Sequence, residues 1–162
     1  MNGPAWMAVA RKYLGTREVK GPKHSPVIVG WLVKLGAWWR DDETPWCGVF
    51  TGAVMKEAGH DIPKAYFRAR AWEDWGKPLA APVVGCIVVF TRQGGGHVGF
   101  VVGQDKAGNL LVLGGNQGDE VNIRAFPRAR VTAYRWPAGV AAPVAPGPLP
   151  LLAGAALSTR EA

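Results

Sequence analysis

At Gly85 the chain changes texture, and that change limits the folds open to it. Before this glycine, apolar residues recur at helical spacing in segments that open on proline and close on glycine. After it, they gather in runs of four to six residues, many of them β-branched, bounded by Gly, Asn and Pro. Helices first and strands second is the order of an α+β domain, with N-terminal helices packed on an antiparallel β-sheet, and not of alternating βαβ units.

The helical half carries its own punctuation. One helix is predicted from Pro4 to Gly15 and a second from Ser25-Pro26 to Gly36, each with proline in the first turn and glycine past the end. A third is expected with Thr44 as N-cap and Pro45 at the first helical position, running through Cys47, Phe50 and Val54 to Gly59. A short fourth covers Arg68 to Trp75. The strands predicted are Cys86–Thr91, His97–Val102, Leu110–Leu113, Val121–Phe126 and Val131–Trp136, joined by loops short enough to make an antiparallel meander.

The chain has 162 residues, enough for one self-sufficient core, and only two cysteines, Cys47 and Cys86, which excludes a disulfide framework and a four-thiolate zinc site. Residues 1–139 read as the folded domain. The remainder, 140–162, is rich in Ala, Pro and Leu, shows no periodicity, and is expected to be a flexible tail. Neither an export signal at Met1–Trp6 nor a run of about 18 apolar residues is present. Synthesis in the cytoplasm without stable membrane insertion is therefore expected. The net charge of +7 favours anionic polymers. Its lysines and arginines are scattered, with no aromatic-flanked basic motif and no recognition-helix pattern, so nucleic acid is not expected as a partner.

The chemistry concentrates on Cys47. In a first helical turn, unpaired N–H groups and the helix dipole stabilise a thiolate. A base must accompany it, and His97, at the start of a strand, is better held than the loop residues His24 and His60. Asn116, just past the neighbouring strand, is best placed to orient the imidazole, with Gln117, Asp119 and Glu120 also in contention. Taken alone, Cys47 could equally be a buried structural thiol, His97 a satisfied strand histidine, and Asn116 an ordinary turn residue. Their occurrence together, in this order, favours catalysis.

Three blocks, Asp42-Glu43-Thr44-Pro45-Trp46-Cys47, Gly85 to Phe90 followed by Gly94-Gly95-Gly96-His97-Val98-Gly99-Phe100, and Leu113-Gly114-Gly115-Asn116-Gln117, resemble the NlpC-type and CHAP-type cysteine peptidases and amidases of bacterial peptidoglycan. The similarity runs from about Ala5 to Trp136 and is closest to a small phage- and prophage-associated subfamily. It implies a compact papain-like fold, no cofactor and no metal, and a catalytic set of Cys47, His97 and Asn116. Cys86 departs from the pattern, since relatives usually carry Asp at that place.

The expected function is accordingly a peptidoglycan hydrolase of endolysin type, monomeric, that cuts an amide or peptide bond in or next to the stem peptide after release or delivery to the wall. Trp46, Asp42, Glu43 and Gln117 are the expected substrate contacts, although Asp42 and Glu43 would serve equally to stabilise the helix start. Trp38-Trp39 either line a groove or form an ordinary apolar cluster. The competing readings are a non-catalytic wall-binding module on the same fold and a secreted effector amidase.

Overall fold

The computed structural model describes residues 3–143, 147–153 and 157–158. Three helices, α1 (Ala5–Lys12), α2 (Pro26–Leu35) and α3 (Cys47–Glu57), precede six strands: β1 (Lys77–Pro78), β2 (Ile87–Arg92), β3 (Gly95–Gln104), β4 (Leu110–Gly114), β5 (Asn122–Phe126) and β6 (Val131–Trp136). The fold is α+β, as the texture change predicts, and is compatible with a compact papain-like domain.

Helix α2 forms where its end signals put it. The Ser25 hydroxyl accepts the N–H of Ile28 at 3.3 Å, and Gly36 closes the helix at φ 74°. Helix α3 starts later than expected. Trp46 is its N-cap and Cys47 its first residue, because Thr44 is drawn into a turn whose acceptor is Asp41. Every residue of α3 from Cys47 to Met55 is buried, so this helix is wrapped on all sides. Gly48 permits the wrapping, since a Cβ there would collide with the carbonyl oxygen of Tyr66. The expected fourth helix is a 3₁₀ segment, Ala69–Asp74, crowded by bulky residues.

The sheet is antiparallel throughout, in the order β1-β6-β2-β3-β4-β5. This corrects the meander in one respect: β6 leaves β5 and returns to pair with β2. Pro127 cannot donate to a ladder, and the 3₁₀ turn Arg128–Arg130 carries the chain across. The sheet curls enough for Phe126, at the end of β5, to stack on Phe90 of β2 at 4.5 Å. Strand β1, two residues long, has no periodicity by which a sequence reading could find it.

The stretch expected as a flexible tail bonds to this sheet through some of its described residues. The N–H of Gln104 donates to Pro150 O and that of Leu152 to Gln104 O, both at 2.9 Å, and Ser158 N donates to Ala125 O at 2.9 Å. These contacts use the edge of β3 beyond the reach of β2 and the outer edge of β5. Among the described residues no helix is long and apolar enough to cross a membrane.

Candidate active site

The start of α3 butts against the open flank of β3. Backbone alternation fixes which groups are exposed there. Val101 N–H points to β2, where it donates to Cys86 O at 3.0 Å, so the N–H of Val98 points to the β4 side. Strand β4 ends at Gly114, level with Gly99, and therefore stops short of Val98. The Sγ of Cys47 occupies this gap, within reach of the backbone N–H groups of Val98, Gly48 and Cys47 itself.

Burial pushes the Cys47 thiol up from its ordinary value and outweighs the opposing pull of these N–H groups and of the Arg92 charge. The resting group is the thiol, which needs a base to react. Cys86, at the entrance to β2, is fully buried, and burial pushes its thiol up to about 12.

His97 sits next to Val98, on the face of the sheet that also carries its cross-strand partner Phe90 of β2. Its ring stacks on Phe126 at 5.2 Å and 10° and is fully buried. The Nε2 of His97 lies 2.9 Å from Gln117 Oε1. The orientation of the Gln117 amide is fixed by its other end: Nε2 donates to Val112 O at 3.2 Å and to Asn122 O and Oδ1 at 3.0 Å each. Carbonyl oxygens only accept, so the amide nitrogen must face them and the amide oxygen must face the imidazole. His97 Nε2 is then the N–H donor, and Nδ1 is the basic nitrogen.

Two residues that the sequence reading did not single out complete this arrangement. Asn122 locks the turn by donating from Nδ2 to Gln117 O at 2.9 Å. Gly114 leaves room for the contact, since a Cβ there would overlap Gln117 Oε1 and come within 3.3 Å of His97 Nε2. The Gly114-Gly115 doublet was the only signal of this in the sequence, and Asn122 had none, because its pairing with Gly114 exists only once the turn has folded back.

The remaining expected site residues divide differently from the sequence reading. The side chain hydrogen-bonded to Nε2 belongs to Gln117, expected as a substrate contact and also in contention as the orienter. Asn116, expected as the orienter, is buried beside it with φ 60°, a backbone conformation that Asn tolerates better than most. Asp42, expected to touch substrate, is fully buried and accepts from Val19 N at 2.6 Å, Ser25 N at 2.7 Å and His24 Nδ1 at 3.0 Å. Burial works to raise its carboxyl, but these donors prevail and hold it below the ordinary range. Asp42 is a brace between the segment before α2 and the approach to α3. Trp46, also expected at the substrate, is buried under Trp31 and donates to Glu18 Oε1 at 3.1 Å. Of the four expected contacts only Glu43 is exposed.

Residues 39–116 match the CHAP domain family, a span that takes in Cys47 and His97 and stops one residue short of Gln117. CHAP domains are generally hydrolases that act on peptidoglycan. No curated protein matches the chain.

Proposed function

Residues 39–116 match the CHAP domain family, and on that premise we propose that the chain cuts an amide or peptide bond in or next to the peptidoglycan stem peptide through a thioacyl-enzyme at Cys47. The observation that carries this reading is the seat of Cys47 Sγ against the N–H of Val98, the residue that follows His97.

In the proposed reaction the Cys47 proton passes to His97 Nδ1 as Sγ bonds to the substrate carbonyl carbon. The backbone N–H of Cys47, in the first helical turn where N–H groups have no intrahelical acceptor, is the donor assigned to the developing oxyanion. The carbon–nitrogen bond then breaks, and the imidazolium protonates the leaving amine. Water, giving its proton to the same nitrogen, hydrolyses the thioester and restores the thiol. We assign the third position to Gln117 and not to Asn116, on the strength of the 2.9 Å contact with Nε2 and the three donor contacts that stop the amide from turning. Gln117 acts through the imidazole as a positioning residue.

An endolysin-type role, with the protein reaching the wall from the cytoplasm by release or delivery, is part of the same proposal. Its support is the basic balance of the chain, which draws it to anionic wall polymers. The test is mass spectrometry of soluble fragments from purified peptidoglycan incubated under reducing conditions with the protein and with Cys47→Ala. New termini at the stem peptide from the unsubstituted protein alone are expected. Wall binding without fragments from either protein would favour the binding-module reading.

A further inference from the structure

Trp38 is 89% exposed, an extreme value for an indole, and it does not stand alone. Its ring meets Trp39 edge-on at 5.3 Å, and Trp39 meets Phe67 edge-on at 5.4 Å. The three rings, with Asp41, Thr44 and Pro45, line a cleft of about 280 Å³.

This cleft lies beside the start of the helix that carries the nucleophile. Pro45 is two residues ahead of Cys47, and on the other side the Phe67 backbone packs so closely on Gly48 that a Cβ there would touch it at 3.0 Å. A group held in the cleft is therefore joined by a short path to whatever lies at Cys47.

The polar groups restrict what that group is. Asp41 Oδ1 is occupied by Thr44 N at 2.7 Å, Thr44 Oγ1 at 2.9 Å and Glu43 N at 3.1 Å. Its other oxygen has no hydrogen-bond partner among the described residues and is open to a donor. Two cations stand at the rim: Arg40, which donates to Trp39 O at 2.8 Å, and Arg68, whose guanidinium lies 5.7 Å from the Phe67 ring centre. They oppose a further cation such as a diamino-acid ammonium, while the Asp41 carboxylate opposes an anion. Aromatic faces with one free carboxylate oxygen suit a neutral ring with polarised C–H groups on its face and hydroxyls at its edge. That description fits a pyranose.

We infer that the cleft walled by Trp38, Trp39 and Phe67 binds one sugar ring of the glycan strand, stacked on the indoles with a hydroxyl donated to Asp41, and so sets which stem peptide reaches Cys47. This deepens the hydrolase reading above and rests on it.

The test uses the Cys47→Ala protein, titrated by calorimetry with peptide-free glycan oligomers from stripped sacculi and, separately, with free stem peptide. Glycan binding is expected, weakened at least tenfold by adding Trp38→Ala and partly restored by Trp38→Phe, with stem-peptide affinity unchanged by either. Trp38 is so exposed that these substitutions leave the fold intact. Glycan affinity indifferent to Trp38, or stem-peptide affinity that falls with it, overturns the inference. Failure of the hydrolase reading is separately visible as no fragment release by the unsubstituted protein. Release with an unchanged KM for intact wall in Trp38→Ala would sink the sugar subsite alone.

Discussion

Gln117 accepts a hydrogen bond from Nε2 of His97 at 2.9 Å with an amide that cannot turn over, because its nitrogen is committed to Val112 and Asn122. The tautomer of the proposed base is thus set by a turn, residues 115–121, and by the first residue of β5.

Removing that acceptor should impair catalysis more than folding. Gln117→Ala is expected to lower kcat by about 100-fold, within the usual range for disrupting a positioned acid–base group. Asn116→Gly, which keeps the positive φ and deletes the side chain, should lower it by less than about 10-fold. The reverse ranking in steady-state assays on solubilised wall would return the orienting role to Asn116.

Gly114→Ala adds one methyl group where Gln117 Oε1 now sits. The expected outcome is a loss of activity approaching that of Gln117→Ala, with melting lowered by only a few degrees, about 1–3 kcal/mol of overpacking. Full activity with an unchanged melting curve would mean that the contact is dispensable.

Because burial holds the Cys47 thiol above its ordinary value, little thiolate exists at neutral pH. Alkylation of Cys47 by iodoacetamide, followed by peptide mass mapping, should be slow at pH 7 and accelerate steadily as pH rises. Arg92 lowers the thiol's pKa, so Arg92→Gln should move the profile to higher pH. Rapid alkylation at pH 6 would instead indicate a preformed thiolate.

Asp42 gives a stability prediction with a defined sign. Its folded pKa lies below the ordinary 3.8, so its contribution is fully present above that value and is lost as pH falls through the folded pKa. Asp42→Ala strands three donors and should cost about 3 kcal/mol at pH 7 in urea unfolding. The difference between the two proteins should shrink below pH 3.8. A gap that persisted unchanged to pH 2 would contradict the ionic part of this account.

The reach of the sequence follows from what each signal encodes. The ends of α2 were legible because Ser25 and Gly36 act on their own neighbours. The start of α3 was misjudged by two residues because Asp41 competes for Thr44, and local propensity does not rank such competitors. Cys47 and His97 could be picked out by residue type and order. Trp46 and Asp42 could not be assigned, since closeness to Cys47 along the chain says nothing about which way a side chain faces at a helix start. The Gln117–Asn122 lock required the residue-by-residue register of β4 on β5, which the expected meander did not contain.

The central claim is that Cys47 performs the cleavage. Its most direct test is the rate at which soluble fragments leave purified peptidoglycan with Cys47→Ala, set against the unsubstituted protein at equal concentration, with circular dichroism to show both folded. A fall of at least about 1,000-fold is predicted, as for loss of a nucleophile that works as a unit with its base. A variant that releases the same fragments at a comparable rate would contradict the account.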